Sequence, residues 1–205
     1  MTDQNQKHLV ANAYDQITDL YLDRFGRSSV RTAKLAEFMA PLPAAASILD
    51  LGCGAGIPAA RDLVERGFNV TGIDASNGQI ERARRNVPEA NFILADMASV
   101  LFAPETFNAI SAFYSMTHLP RSEHAALIRQ IAIWLRPGGR FLAIYGTEEE
   151  DWSGDWLGTA MFFSHHSPEI AKQLTLDAGL RLERVEVLRQ DNEEADFLWI
   201  TAQKS

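Results

Sequence analysis

Leu9, Val10, Ala13, Tyr14 and Ile17 recur at i, i+1, i+4, i+5 and i+8, one face of an amphipathic helix over about residues 5 to 20. A second helix is predicted from Ser28 or Ser29 to Met39, with Val30, Ala33, Leu35 and Phe38 apolar and Pro41 stopping it. The period then changes. Ser47 to Leu51 is a short apolar strand that breaks at Gly52, and Pro58 opens a helix closed by Gly67. Phe68 to Ile73 is the next strand, followed by Ser76 and Gln79 in the form of a capping box. Asn91 to Ala95 and Phe107 to Tyr114 read as further strands. Leu127, Ile128, Ile131, Trp134 and Leu135 set a helix between Ser122 and Arg136, which Pro137-Gly138-Gly139 ends before the strand Arg140 to Tyr145. Pro168 to Ala178 is a last helix, ended by Gly179, and Leu180 to Leu188 and Phe197 to Ala202 are two strands joined by the polar turn Arg189 to Asp196.

Strands that alternate with helices and are apolar on both faces predict an α/β fold whose parallel sheet is covered on each side, because a parallel crossover needs room for a helix. The junction between the last two strands is too short for such a crossover, so these two are expected to pair antiparallel. No linker, repeat or low-complexity tract divides the chain, and residues 1–205 are read as a single domain. Within it the helices of residues 1–42 form a cap. Residues 148–166, introduced by Glu148 to Asp151, have no role in the sheet and read as an inserted lid over one end.

In open α/β sheets ligands bind beyond the carboxyl ends of the strands, so the residues that end each strand are read first. Asp50, Asp74 and Asp96 all lie there, about one β-α unit apart. The Gly52-Cys53-Gly54-Ala55-Gly56 turn lets a ligand approach the backbone without a Cβ in the way. Each feature taken singly is ordinary turn or capping chemistry. Their occurrence together, in order, points to a crevice for a flat ligand rich in hydrogen-bond donors.

These residues resemble the class I S-adenosylmethionine-dependent methyltransferases. Ile48 to Gly56 is similar to their first motif, Val70 to Asp74 to the second, Ala95-Asp96-Met97 to the third, and Leu135 to Phe141 to the approach to their fifth strand. The resemblance covers essentially the whole chain. It implies a Rossmann-like three-layer sandwich with a mostly parallel seven-stranded sheet of order 3-2-1-4-5-7-6, strand 7 antiparallel. It also implies that the backbone of Gly52, Gly54 and Gly56 cradles the methionine part of S-adenosylmethionine, with Asp50 helping to anchor its amino group. Asp74 would take the ribose hydroxyls, Asp96 the adenine amino group, and the Met97 backbone would meet the ring. A nicotinamide enzyme is the nearest rival, but the glycines are spaced Gly-x-Gly-x-Gly, Pro58 removes an N–H where a pyrophosphate would sit, and no lysine follows a tyrosine by four residues. A protein that binds the cofactor or its demethylated product without transferring a methyl is the alternative in function.

A general base matters only if the acceptor holds a proton, and five histidines are available. His118, just past the fourth strand, is either a loop residue bonded to backbone or a ligand contact. His165 is the candidate for contact with substrate, His124 is expected to be solvated, and His166 and His8 are left without a role. Trp152, Trp156 and Phe163 in the lid, with Tyr14 and Tyr21 from the first helix, are candidates to line an apolar acceptor pocket, and each of them also suits simple packing. No metal-ligand spacing occurs. The formal charge of -8 opposes nucleic acid as a partner and leaves a small-molecule acceptor. The start of the chain lacks the layout of a secretory signal and no long uncharged apolar run occurs, so no membrane partner is expected. The single Cys53 suits a reducing, cytoplasmic setting.

Overall fold

Alternation within the central strands decides the layering. In the computed structural model, which describes residues 2–191 and 195–205, β1 (Ser47–Leu51) buries Leu49 and Leu51 in one apolar cluster and Ile48 in another. Strand β5 (Leu135–Gly146) repeats this, with Phe141, Ala143 and Tyr145 in the first cluster and Leu142 and Ile144 in the second. Successive side chains point to opposite faces, so a strand apolar at consecutive positions must be covered twice. The helices are sorted accordingly. Helices α5 (Arg121–Trp134) and α6 (Pro168–Asp177) pack in the first cluster through Leu127, Ile128, Ile131, Trp134 and Ala171. Helices α2 (Ser29–Met39), α3 (Ala59–Glu65) and α4 (Asn77–Asn86) pack in the second through Leu35, Phe38, Leu63, Ile80 and Ala83.

Strands β2 (Asn69–Asp74), β3 (Asn91–Leu94) and β4 (Phe107–Ala112) complete the parallel part of the sheet, and β8 (Leu180–Arg189) and β9 (Asp196–Lys204) the antiparallel part. The order is β3-β2-β1-β4-β5-β9-β8, with β9 antiparallel to both of its neighbours. This is the expected order, with β8 and β9 in the places of the sixth and seventh strands. The chain runs outward from β1 to β3 and then returns to the other side of β1 as β4. The loops after β1 and β4 therefore diverge and leave a crevice at the carboxyl edge. Of the predicted polar turn between the last two strands, residues 192–194 lie outside the described residues.

Four local features differ from expectation. Residues 148–166 contain an antiparallel hairpin of β6 (Trp152–Trp156) and β7 (Thr159–Phe163), a sheet of its own. Its two-residue turn, Leu157 and Gly158, has positive φ at both positions (55° and 82°), the form that matches the twist of the flanking strands, though a leucine there gives little sequence signal. Helix α1 (Asp3–Phe25) runs further than predicted, because its later turns dock on α4 and β7. Pro137-Gly138-Gly139 lies inside β5 as an irregularity of the β4 ladder, where the register steps from Phe107↔Leu135 to Ala109↔Arg140. His124, expected in solvent, is fully buried, because it shares a helix face with Leu127, Ile128 and Ile131 at i, i+3, i+4 and i+7.

His124 Nε2–H donates to the Leu119 carbonyl oxygen at 2.9 Å, and buried Nδ1 has no partner. Burial holds its pKa down at about 4, below the ordinary 6.5. Between those values the unfolded chain binds the proton that the native state refuses, so stability falls as pH drops from about 6.5 to 4, by at most about 1.4 kcal/mol per unit for this one group. Denaturant titrations across that range are expected to show this acid limb, and to show it shallower in His124→Gln, which keeps a donor for Leu119. An equally steep limb in the variant would exclude His124 as its source.

Candidate functional site

The turn after β1 is where backbone has to pass close to side chains. Gly52 has φ +70°, and a Cβ there would stand 2.3 Å from that of Ser115 in the loop after β4. Ser115 in turn donates through Oγ to the Leu51 carbonyl oxygen at 2.6 Å, which draws the two diverging loops together at the floor of the crevice. Gly54, with φ +54°, has open space in front of it, and only Gln79 Oε1 would come within 3.8 Å of a Cβ there. The turn thus exposes backbone toward the cavity on both sides of Cys53.

Asp74, at the end of β2, locks this turn. One carboxylate oxygen accepts from Gly54 N–H and the other from Ser76 N–H, each at 2.9 Å. Burial raises its pKa above the ordinary carboxylate value, against the lowering effect of those two bonds. Ser76 caps α4 by accepting from Gln79 N–H, but the Gln79 side chain does not return the bond that a full capping box would make. Its Oε1 is buried without a donor and Gln79 lines the cavity. Beyond β3, Asp96 accepts from Ala98 N–H and Ser99 Oγ and from Lys7 Nζ at 2.6 Å, and Lys7 also reaches Glu123 at 2.9 Å. Burial would raise the Asp96 pKa, but the bond from Lys7 and those behind it outweigh that and hold the carboxyl below its ordinary range.

Helix α1 forms the roof. Lys7, Val10, Ala11, Tyr14 and Tyr21 face the cavity from above, opposite Gly52, Gly54, Asp74, Asp96 and Met97. The roof is tied down at several points: Lys7 on Asp96 and Glu123, Asp15 on Ser76 Oγ and Gly78 N–H, and Asp19 on Arg82. Tyr14 adds another tie, its hydroxyl 2.8 Å from His118 Nε2. His118 Nδ1 lies 3.1 Å from the Phe162 carbonyl oxygen. That oxygen can only accept, so Nδ1 carries the proton and Nε2 is the acceptor for the Tyr14 hydroxyl. Burial pushes the His118 pKa down to about 4, so the ring is neutral at pH 7.

A second cavity lies behind this one and shares Tyr14, Tyr21, Tyr114 and His118 with it. Trp156 and Phe163 of the hairpin stand in its wall, so four of the five aromatic residues singled out in the sequence surround one space. Trp152 does not join them: it is 43% exposed and packs on the outer side of Phe163. The position expected of His165 also needs correction. It lines neither cavity, and its ring lies so close to Gly146 that a Cβ there would meet Nδ1 at 2.2 Å.

Asp50 and Gly56 likewise stand outside the cavity walls. Asp50 is 2% exposed, bonded to Ser111 Oγ at 2.8 Å within the sheet, and burial lifts its pKa to about 7. Gly56 instead allows close packing of the turn on Phe92 and Ala83. Sequence reasoning missed Lys7, Gln79, Tyr114 and Ser115. Gln79 carried a signal as the unreturned half of a capping box, and Tyr114 and Ser115 by their place at the carboxyl end of the fourth strand; Lys7 reaches the site through contacts distant along the chain. Among the described residues no cluster of three or more His, Cys, Asp or Glu could hold a metal ion, and no helix is long and apolar enough to cross a membrane.

Residues 48–139 match the family model described as a methyltransferase domain. The chain is 39% identical over 108 residues to 27-O-demethylrifamycin SV methyltransferase of Amycolatopsis mediterranei, a stretch of 50% of this chain and 39% of that protein. It is 41% identical over 125 residues to trans-aconitate 2-methyltransferase of Delftia acidovorans, 58% of this chain and 45% of that one. The chain thus spans less than half the length of these curated relatives. Among solved structures, 1,6-didemethyltoxoflavin-N1-methyltransferase of Burkholderia thailandensis, with bound 1,6-didemethyltoxoflavin and S-adenosylhomocysteine, superposes with a TM-score of 0.77 at 18% identity, covering 100% of this chain and 91% of that one. That likeness is one of fold, and the sheet order, the glycine turn locked by Asp74 and the matched domain agree with it. Residues 48–139 thus match a methyltransferase domain, and the chain is similar over part of its length to methyltransferases that act on small molecules.

Proposed function

We propose that this protein transfers the methyl group of S-adenosylmethionine to a nucleophilic O, N, S or C atom of a small, partly apolar molecule. The observation that carries the reading is a pair of adjoining cavities, one built on the glycine turn and two strand-end aspartates and one walled by aromatic rings, which share the Tyr14–His118 pair. The lone buried Cys53 supports a reducing, cytoplasmic setting for the reaction.

The residues present fit the cofactor. Gln79 Oε1 is a buried acceptor in need of a donor, which a ribose hydroxyl supplies. Gly52 and Gly54 leave the backbone bare where the methionine part would lie. Asp74 is our candidate for the ribose hydroxyls, its remaining lone pairs free beyond the two backbone bonds. Asp96 is the candidate for the adenine amino group, next to Met97, and shares its charge with Lys7. Gly56 lets the turn pack on Phe92 and Ala83 from behind.

When bound, the cofactor supplies an electrophilic methyl on a positively charged sulfur. What remains for the protein is to hold the acceptor in line and keep water out, and orientation of this kind is worth about 7 to 11 kcal/mol. The roof helix α1 and the β6–β7 hairpin exclude water through their own apolar cluster, in which Val10, Ala13 and Ile17 pack on Met161 and Phe162. Neutral His118 accepts from the Tyr14 hydroxyl through Nε2 between the two cavities. With a pKa of about 4 it is a weak base. It therefore fixes the Tyr14 hydroxyl, whose oxygen can accept from the O–H or N–H of the methyl acceptor, more than it removes the proton outright.

Incubation with radiolabelled methyl donor and a panel of acceptors should release S-adenosylhomocysteine together with a labelled product; a protein that binds the cofactor and yields neither with any acceptor would contradict the proposal. Asp74→Ala is expected to weaken S-adenosylhomocysteine about 10- to 100-fold by calorimetry, in line with the loss of charge-assisted hydrogen bonds, and an unchanged affinity would remove Asp74 from the ribose site. His118→Phe should lower kcat while that affinity is retained, and by more than His165→Ala does. Because His118 stays neutral down to about pH 4, the wild-type rate should show no inflection near 6.5 from this residue, so a limb there that vanished in His118→Phe would overturn the neutral assignment.

A further inference from the structure

Arg31, near the start of α2, is 5% exposed. A guanidinium carries five N–H donors and stays charged inside proteins. Among the described residues only Nη2 of Arg31 meets an acceptor, the Phe25 carbonyl oxygen at 2.9 Å, while Nε is buried with no partner. Asp50 and Asp62 both feel its charge, yet neither carboxylate forms an ion pair with it. A buried cation with no carboxylate bonded to it weakens the fold that holds it, unless an anion completes the site.

The space beside Arg31 has the shape of such a site. Arg31 lies in the wall of the second cavity with Phe25, Trp156, Phe163 and Phe197. The Phe25 and Trp156 rings are nearly parallel at 5.8 Å, and Phe163 meets Trp156 edge-on at 5.4 Å. Flat ring faces of this kind favour a planar apolar ligand. Arg31 borders only this cavity, whereas Tyr14 and His118 border both. The cation therefore stands away from the cofactor, and the hydrogen-bonding pair stands next to it.

We propose that the second cavity is the acceptor site, and that Arg31 makes it selective for a planar, apolar molecule bearing a carboxylate at the end remote from the atom to be methylated. The planar guanidinium fork matches a carboxylate, and the pairing neutralises both charges in a dry environment. The event at the near end rests on the methyl-transfer reading, whereas carboxylate capture by Arg31 does not.

The test uses the full chain, with and without S-adenosylhomocysteine, titrated calorimetrically with benzoate, cinnamate and 2-naphthoate and with their neutral primary amides. At least one acid is expected to bind tenfold or more tightly than its own amide. That preference should fall below threefold in Arg31→Met, with S-adenosylhomocysteine affinity unchanged within about twofold, and Trp156→Ala should weaken acid and amide alike. A wild-type protein that binds no acid better than its amide overturns the proposal, as does an Arg31→Met variant that keeps the preference. Should Arg31→Met fail to fold, Arg31→Gln takes its place, and the wild-type comparison of acid with amide still decides. If S-adenosylhomocysteine does not bind but the Arg31-dependent preference persists, the methyl-transfer reading falls and the carboxylate site stands.

Discussion

A single carboxylate couples the two loops on which the site depends. Asp74 accepts from Gly54 N–H of the turn after β1 and from Ser76 N–H at the start of α4. These are orphan donors, one in an irregular turn and one just before a helix, and leaving them buried without a partner would cost about 1–3 kcal/mol each. Because β1 and β2 are adjacent and parallel, with Asp50 opposite Gly72, the end of β2 reaches the turn without distortion. Burial raises the Asp74 pKa while the two N–H groups oppose that rise. The arrangement is stiff, and it leaves polar backbone and Gln79 Oε1 turned toward an open space.

Helix α1 roofs that crevice. It is long and mostly polar, and its fastening is electrostatic on one side and apolar on the other. Lys7 pairs with Asp96 and Glu123 with its side chain only 13% exposed. Val10, Ala13 and Ile17 meanwhile pack on the hairpin strand β7. Part-buried pairs are screened less by salt than exposed ones, so the Lys7 end is a firmer tie than the Asp19–Arg82 pair, whose carboxylate is 80% exposed.

The two cavities differ in the groups they present to a ligand. The one under α1 is bounded by carboxylates and bare backbone, the one behind it by aromatic rings and a guanidinium. Their common border is the Tyr14–His118 pair, whose hydrogen-bond direction follows from the Phe162 carbonyl on its far side. The hairpin thus does two jobs: Phe162 sets the tautomer of His118 through its backbone, and Trp156 and Phe163 wall the aromatic space through their rings.

The order of the sheet came with the family resemblance, whereas the strands of the seven-stranded sheet, the helices that cover them and the positions of the three strand-end aspartates were legible in the sequence itself. Each of these follows from local periodicity and from glycine and proline placement, which act over a few residues. Tertiary structure decided what local patterns cannot carry. His124 shares the i, i+4 spacing of a buried face and is internal, though its polarity suggested solvent. Asp50 ends a strand like the other two aspartates but is enclosed between β2 and β4 and never reaches the cavity. His165 and Trp152 belong to the same segment, yet His165 lies beyond the end of β7, and Trp152, though on the hairpin face that carries Trp156 and Phe163, stands at the end away from the turn and outside the cavity. Lys7 and Arg31 gained their roles from partners and cavities that only the folded chain brings beside them, because the energy of a buried charge depends on surroundings assembled from distant segments.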